Sequence, residues 1–159
     1  MDQPELHADL APVAFLLGTW QGHGKGSYPT VQTFEYDEEV RFWHVGKPLL
    51  SYTQRTWHPS KGFAMHSEMG FWRVQPEGRI EIVLAHPTGI AEIQEGRIED
   101  TKIEVGTTSM ARTTTAKEVS RLERTFTVDG DVMRYEVRMA AVGVPLTHHL
   151  SAELHRVEA

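Results

Sequence analysis

The sequence predicts an all-β fold, a ten-stranded antiparallel up-and-down barrel with a short N-terminal helix, and three observations lead there. Apolar and polar residues alternate in steps of two through most of the chain, as they do in strands with one dry face and one wet face. Turn signals carrying glycine and proline recur at short intervals, so consecutive strands are antiparallel neighbours. The 159 residues fill one domain, residues 1–159, and leave nothing for a second.

The helix comes first. Leu10, Val13, Ala14 and Leu17 fall at i, i+3, i+4 and i+7, Pro12 is early enough for a first turn, and Gly18 ends the pattern. From Thr19 to Val157 the spacing gives about nine or ten strands. Phe34, Tyr36, Val40 and Phe42 alternate with Glu35, Asp37, Glu39 and Arg41, and Ile80, Ile82 and Leu84 alternate with Arg79, Glu81 and Val83. The cleanest case is Met133, Tyr135, Val137 and Met139 against Arg134, Glu136 and Arg138. Turns are expected at Gly46-Lys47-Pro48, Pro59 to Gly62, Pro76-Glu77-Gly78, Pro87-Thr88-Gly89 and Asp129-Gly130, and the stretch from Gly96 to Thr115 reads least clearly. So many antiparallel strands must dispose of their edges, and closure into a barrel removes them altogether, with a β-sandwich as the other architecture. A barrel of this size holds side chains plus one small ligand, and Phe34, Tyr36, Phe42, Leu122, Phe126, Tyr135 and Met139 are expected to face inward.

Composition narrows the function. Sixteen Lys and Arg against 22 Asp and Glu leave a net charge of -6, which repels phosphate backbones and anionic lipid, so neither nucleic acid nor a membrane is expected as a partner. Without cysteine there is no disulfide, thiolate metal site or cysteine nucleophile. The first 30 residues show no secretory leader and no run approaches the ~20 apolar residues of a membrane span. A cytoplasmic location is the expectation.

Nine histidines are the compositional oddity. None pairs as His-x-x-x-His and no acidic loop suggests calcium, so a zinc hydrolase has little support, although three histidines from different strands can converge inside a barrel. The glycine-rich Gly18 to Gly26 segment lacks the strand before it and the helix after it that a phosphate loop needs, and its glycines fit close backbone passage better. No Gly-x-Ser-x-Gly elbow is present. Glu38 falls on the inward phase and calls for a partner such as Arg55 or Lys25. Trp20 reads as a plug of the barrel end. His7, His58 and His155 read as solvent-exposed, and His66 and His86 as structural residues near a ligand space.

The run Gly18-Thr19-Trp20-Gln21-Gly22-His23-Gly24, continued by Gly26-Ser27-Tyr28-Pro29-Thr30, resembles the signature of the nitrobindins. Phe34 to Glu39, Gly46-Lys47-Pro48, Tyr52 to Trp57, Met65 to Phe71, Ala85 to Gly89 and His149 to Ala152 resemble that family too, in order and over nearly the whole chain. The resemblance implies a barrel distantly like those of fatty-acid-binding proteins and lipocalins, holding one haem b per chain through a single histidine. It implies nitric oxide binding and isomerisation of peroxynitrite to nitrate, with no catalytic side chain beyond the haem iron. By position the axial ligand is His149, and Thr30 contacts the haem. A homodimer is left open.

Strand phase and resemblance disagree about the ligand. Leu146, Leu150, Ala152 and Leu154 form the apolar face of the last strand, which puts His148 inward and His149 outward. A bulge after Pro145 reverses that phase in favour of His149. The alternative function is a non-catalytic barrel carrying a fatty acid or other apolar ligand, for which Arg55 with Arg124 is the nearest candidate for binding a carboxylate head.

Overall fold

The structure, a computed structural model, describes residues 2–159. Ten strands follow one 3₁₀ helix, Ala8–Leu16: β1 (Gly18–Tyr28), β2 (Val31–Trp43), β3 (Leu49–Trp57), β4 (Ala64–Gln75), β5 (Arg79–His86), β6 (Ile90–Glu99), β7 (Lys102–Arg112), β8 (Val119–Asp129), β9 (Val132–Ala141) and β10 (Val144–Glu158). Each strand pairs antiparallel with its sequence neighbours, and β1 pairs with β10 to close the barrel. Among the described residues no helix is long and apolar enough to cross a membrane.

The helix departs from its expected form. An α-helical spacing favoured Leu17, yet the buried residues are Leu10, Val13 and Leu16, every third residue. Three residues per turn stack i, i+3 and i+6 in one row, and Pro12 supplies no N–H to an α-helical ladder. His7 caps the helix, accepting from the Asp9 amide, so it is half-buried rather than free in solvent. Trp20 lies beneath the helix, fully buried, and donates its indole N–H to the Leu16 carbonyl at 2.8 Å. The Arg156 guanidinium stacks on that indole at 4.2 Å and donates to the carbonyls of Phe15 and Leu17. The helix thereby closes one barrel end, and Phe42, Leu50, Trp72, Ile82, Ile103, Met133 and Leu154 pack with it as a solid core.

The hairpin turns between β1 and β2, β3 and β4, β5 and β6, β7 and β8, and β9 and β10 lie at the opposite end, because strand direction alternates. Here the wall loosens. β7 and β8 pair only over Lys102 to Gly106 against Thr127 to Glu123, and beyond that Arg121 reaches across to the Thr107 carbonyl at 2.9 Å. The strand count and turn assignments agree with expectation, and the unclear Gly96 to Thr115 stretch resolves into the end of β6, a turn at Asp100 and β7. Asp100 adopts φ 53° without being glycine, so no glycine marks that turn.

Two glycines of β1 shape the interior. A Cβ on Gly24 would lie 2.2 Å from the Tyr36 ring and one on Gly26 would lie 2.1 Å from the Phe34 ring. The glycine-rich segment is thus a strand whose missing side chains make room for two aromatic rings from β2. Several strand pairs carry a register shift, and β10 has two against β9, between Val144 and Thr147 and again between His148 and Leu150.

Candidate functional site

The open end holds a cavity of about 360 Å³. Its walls are largely apolar, from Phe34, Ile90, Met110, Leu122, Met139 and Leu150, and its deeper part is polar, from Glu38, Gln54, Glu68, Arg124 and the hydroxyls of Tyr36, Tyr52 and Tyr135. The inward face expected from sequence is the inward face observed, Met133 and Phe42 filling the core and Phe34, Tyr135 and Met139 lining the space.

His149 stands in this wall, and His148 faces solvent. The register shift explains why: His148 pairs with Arg138 and Leu150 with Val137, so His149 is the extra residue of a bulge, turned inward between two strand phases. Its Nδ1 is 3.1 Å from the Ser27 carbonyl, which only accepts, so the ring proton sits on Nδ1 and Nε2 carries the lone pair. Burial pushes the imidazole's pKa down, outweighing the Ser27 hydrogen bond that raises it, and His148 and His66 add to the lowering. Tyr28 packs edge-on against the ring at 5.4 Å and Phe34 flanks it at 6.3 Å. The Tyr28 hydroxyl donates to the Met139 carbonyl and accepts from the Ala141 amide, tying the ring to β9. A neutral imidazole of fixed tautomer is what a metal-centred cofactor requires of a single protein ligand.

Thr30 is exposed in the β1–β2 turn and does not line the cavity. His66 and His86 do line it, but as parts of an ion-pair network. Arg124 donates to both Glu68 oxygens, at 2.6 and 3.0 Å, and Tyr52 donates to the same carboxylate at 2.7 Å. His86 lies between Glu68 (3.3 Å) and Glu92 (2.9 Å), with Thr107 also donating to Glu92 at 2.5 Å. Burial pushes the Glu68 carboxyl up, but Arg124, then His66 and His86, outweigh that and hold it well below the usual carboxylate range. Two histidines and Glu68 therefore converge, with ligand atoms within 4.8 Å of one another, where the sequence allowed for three histidines. The bidentate guanidinium already neutralises that carboxylate, so the cluster is an internal ion-pair network.

Two expected partnerships fail. Glu38 is buried against Gln54 (2.5 Å) and Tyr135 (2.9 Å), while Arg55 points outward to Glu39 and Lys25 is exposed. Outward-facing Arg55 cannot join Arg124 around a carboxylate head group, which removes the support for a fatty-acid carrier. His58 is half-buried and accepts from the Ser60 and Lys61 amides, and His23 lies outside between Asp37 and Glu35. The residues missed from sequence are Glu68 and Glu92, while Arg124, expected beside Arg55 for a carboxylate head group, is paired with Glu68 instead. Arg124 shares the apolar phase of Leu122 and Phe126, which asks for a buried partner, but the phases of β4 and β6 that carry Glu68 and Glu92 are no more apolar than those carrying Met69, Phe71 and Ile93, so alternation did not mark them.

A closed barrel with one solid end, one open cavity with apolar upper walls, and an imidazole in that wall that is free of the ion-pair network is a cofactor-binding β-barrel. Residues 9–156 match the family described as THAP4-like, heme-binding beta-barrel domain. The chain is 53% identical over 156 residues to peroxynitrite isomerase 2 of Mycobacterium avium, covering 96% of this chain and 97% of that one. It is 48% identical to the peroxynitrite isomerase of Nocardia farcinica over 155 residues, covering 95% and 92%. The crystal structure of Rv2717c from M. tuberculosis superposes with a TM-score of 0.90 at 46% identity, covering 96% of this chain and 99% of that one. The chain belongs to the family of THAP4-like haem-binding β-barrel domains, the nitrobindins.

Proposed function

We propose that this chain holds one haem b through His149, binds nitric oxide there, and isomerises peroxynitrite to nitrate. The observation that carries the reading is the bulge in β10, which turns a neutral, Ser27-tethered imidazole into the cavity beside the apolar Phe34, Met139 and Leu150. The names of the relatives from Mycobacterium avium and Nocardia farcinica support the reaction. A haem iron with one protein ligand supplies an open Lewis-acid position for a small anion. The protein's own part is positional. Ser27 holds the ring proton on Nδ1, Tyr28 and Phe34 fix the ring plane, and the apolar walls keep the reacting fragments together while excluding water. Thr30, exposed in the β1–β2 turn, would contact the haem, as its place in the family motif implies. Peroxynitrite and nitrate are anions of the same composition that differ in no proton, so no side chain is assigned as a general base. Absence of cysteine supports a reducing, cytoplasmic setting.

Stopped-flow mixing with peroxynitrite tests the reaction. Ferric haem-loaded protein is expected to accelerate decay in proportion to the loaded haem and to raise the share of nitrate over nitrite, while the haem-free chain leaves both unchanged. Equal decay with and without haem overturns the assignment.

A homodimer is part of the same proposal. On the outer face of β4, β5 and β6, Phe71, Val83 and Ile93 form one cross-strand row, and Met69, Ala85 and Ala91 form the next. Met69 is 60% exposed and Phe71 50%. The patch carries no charge, and two copies related by a twofold axis cover it with itself. Light scattering is expected to give the mass of two chains for the wild type and of one for Phe71→Lys. A monomeric wild type ends this part of the proposal.

A further inference from the structure

We infer that Tyr135 is the internal one-electron donor of the cavity, the residue that radical oxidants of the nitrogen dioxide class convert first, by way of a tyrosyl radical, to 3-nitrotyrosine. A phenol that loses an electron becomes a strong acid, so its oxidation is easy only where the hydroxyl already donates to a base that can keep the proton. The four tyrosines differ in this respect. Tyr28 donates to the carbonyls of Met139 and Ala141, which do not take protons. Tyr52 donates to Glu68, where an arriving proton must disrupt the two-point Arg124 pair.

Tyr135 donates to Glu38 Oε2 at 2.9 Å. Among the described residues that carboxylate forms no ion pair: besides Tyr135 it accepts only from Gln54, Arg124 acts on it only at a distance, and its Oε1 has no partner. Burial pushes the Glu38 carboxyl up to about 7, against the lowering by Gln54 and Tyr135, so it takes and holds a proton near neutrality. The Tyr36 hydroxyl lies 2.8 Å from the Tyr135 oxygen and can still donate to it once the Tyr135 proton has gone, which stabilises the oxyl radical. Both rings are buried against solvent yet line the cavity, so a small uncharged radical formed there meets them before it meets any outside reductant.

The chemistry balances. One electron passes from Tyr135 to nitrogen dioxide, which becomes nitrite, and the O–H proton passes to Glu38. A second nitrogen dioxide forms a C–N bond at the ring carbon beside the oxygen, that carbon's hydrogen moves to the oxygen as aromaticity returns, and Glu38 releases its proton. The sum is tyrosine plus two nitrogen dioxide giving 3-nitrotyrosine, nitrite and one proton. The inference rests on the proposed function only for the source of the oxidant, peroxynitrite yielding nitrogen dioxide when its O–O bond breaks homolytically.

Pulse radiolysis of nitrite solutions makes nitrogen dioxide without peroxynitrite, and it is applied to the full chain with and without haem. The tyrosyl radical is followed by its transient absorption and nitration is mapped by peptide mass spectrometry. Nitration at Tyr135 is expected to exceed that at Tyr28 or Tyr52 about tenfold or more, and Glu38→Gln is expected to lower it by a similar factor while Tyr52→Phe does not. An even spread, modification led by Tyr28, Tyr36 or Tyr52, or indifference to Glu38→Gln overturns the inference. Should Glu38→Gln fail to fold, Tyr36→Phe serves instead, with a shorter-lived Tyr135 radical expected and an unchanged lifetime counting against it. Peroxynitrite turnover is assayed separately: its absence with the nitration pattern intact sinks the isomerase reading alone, and the converse sinks this one alone.

Discussion

His149→Ala is expected to abolish one-to-one haem binding, and His148→Ala to leave it intact. The two residues are adjacent, but the bulge gives them opposite faces: His148 lies outside opposite Arg138, and His149 lines the cavity. Alanine at His149 removes the one histidine in the cavity wall, among the described residues, whose Nδ1 is tied to a backbone carbonyl so that Nε2 is free. His66 and His86 do not replace it, because both lie against Glu68 in the ion-pair network. Loss of an outer-shell partner alone costs ~10–100-fold in metal affinity, so loss of the proposed ligand itself is expected to cost more than that. Titration with haem, followed at the Soret band, reads cofactor and ligand together. Saturation at one haem per chain in wild type and His148→Ala, with the band lost or shifted in His149→Ala, is the expected outcome. Loss in His148→Ala instead means that the regular strand phase, without its bulge, describes the protein. Since His149 is half-buried near the rim, its truncation leaves the solid core untouched, and circular dichroism should be unchanged.

Arg124→Met lowers folding stability by about 3–5 kcal/mol at neutral pH, because it leaves the buried Glu68 carboxylate without its counter-charge. Methionine keeps most of the volume, so the loss reports charge rather than packing. The pH dependence has a definite sign. In the wild type Glu68 is held below its usual range, so its contribution is complete above the unfolded carboxylate pKa and disappears as pH falls through the depressed folded value. In Arg124→Met burial acts unopposed by the guanidinium and raises the carboxyl, so the variant loses stability as pH rises from the unfolded carboxylate pKa toward neutrality. The gap between variant and wild type therefore narrows on acidification toward that pKa. Urea melts at neutral and mildly acidic pH measure it, and Arg124→Met combined with Glu68→Gln should recover much of the loss, since a neutral amide requires no counter-ion. A gap that is constant with pH, or a double variant no better than the single one, contradicts the ion-pair account.

The strands, their antiparallel order and the plugging role of Trp20 could be read from local pattern alone. A period of two reports which face of a strand is dry, and a short turn permits only an antiparallel return. The 3₁₀ character of the helix was less accessible, because Leu10 and Val13 suit both helical periods and only packing against Trp20 selects Leu16 over Leu17. The turn at Asp100 escaped because a non-glycine residue takes φ 53° there. His149 was named by motif resemblance against the apparent strand phase, and a one-residue bulge in the pairing of β10 with β9 resolves that conflict.

Partner choice lay beyond the linear pattern altogether. Glu38 is 97 residues from Tyr135 and Glu68 is 56 from Arg124, so contacts across the barrel interior exist only once ten strands have closed. Alternation settles that a charged residue faces inward, and burial then demands a partner. Which side chain meets it depends on strand register and on the shear of the closed barrel, quantities set by the whole chain at once. The sequence therefore carried the architecture and the family, while closure of the barrel assembled the Glu68–Arg124 pair, the Tyr36–Tyr135–Glu38 chain and the tethered imidazole of His149.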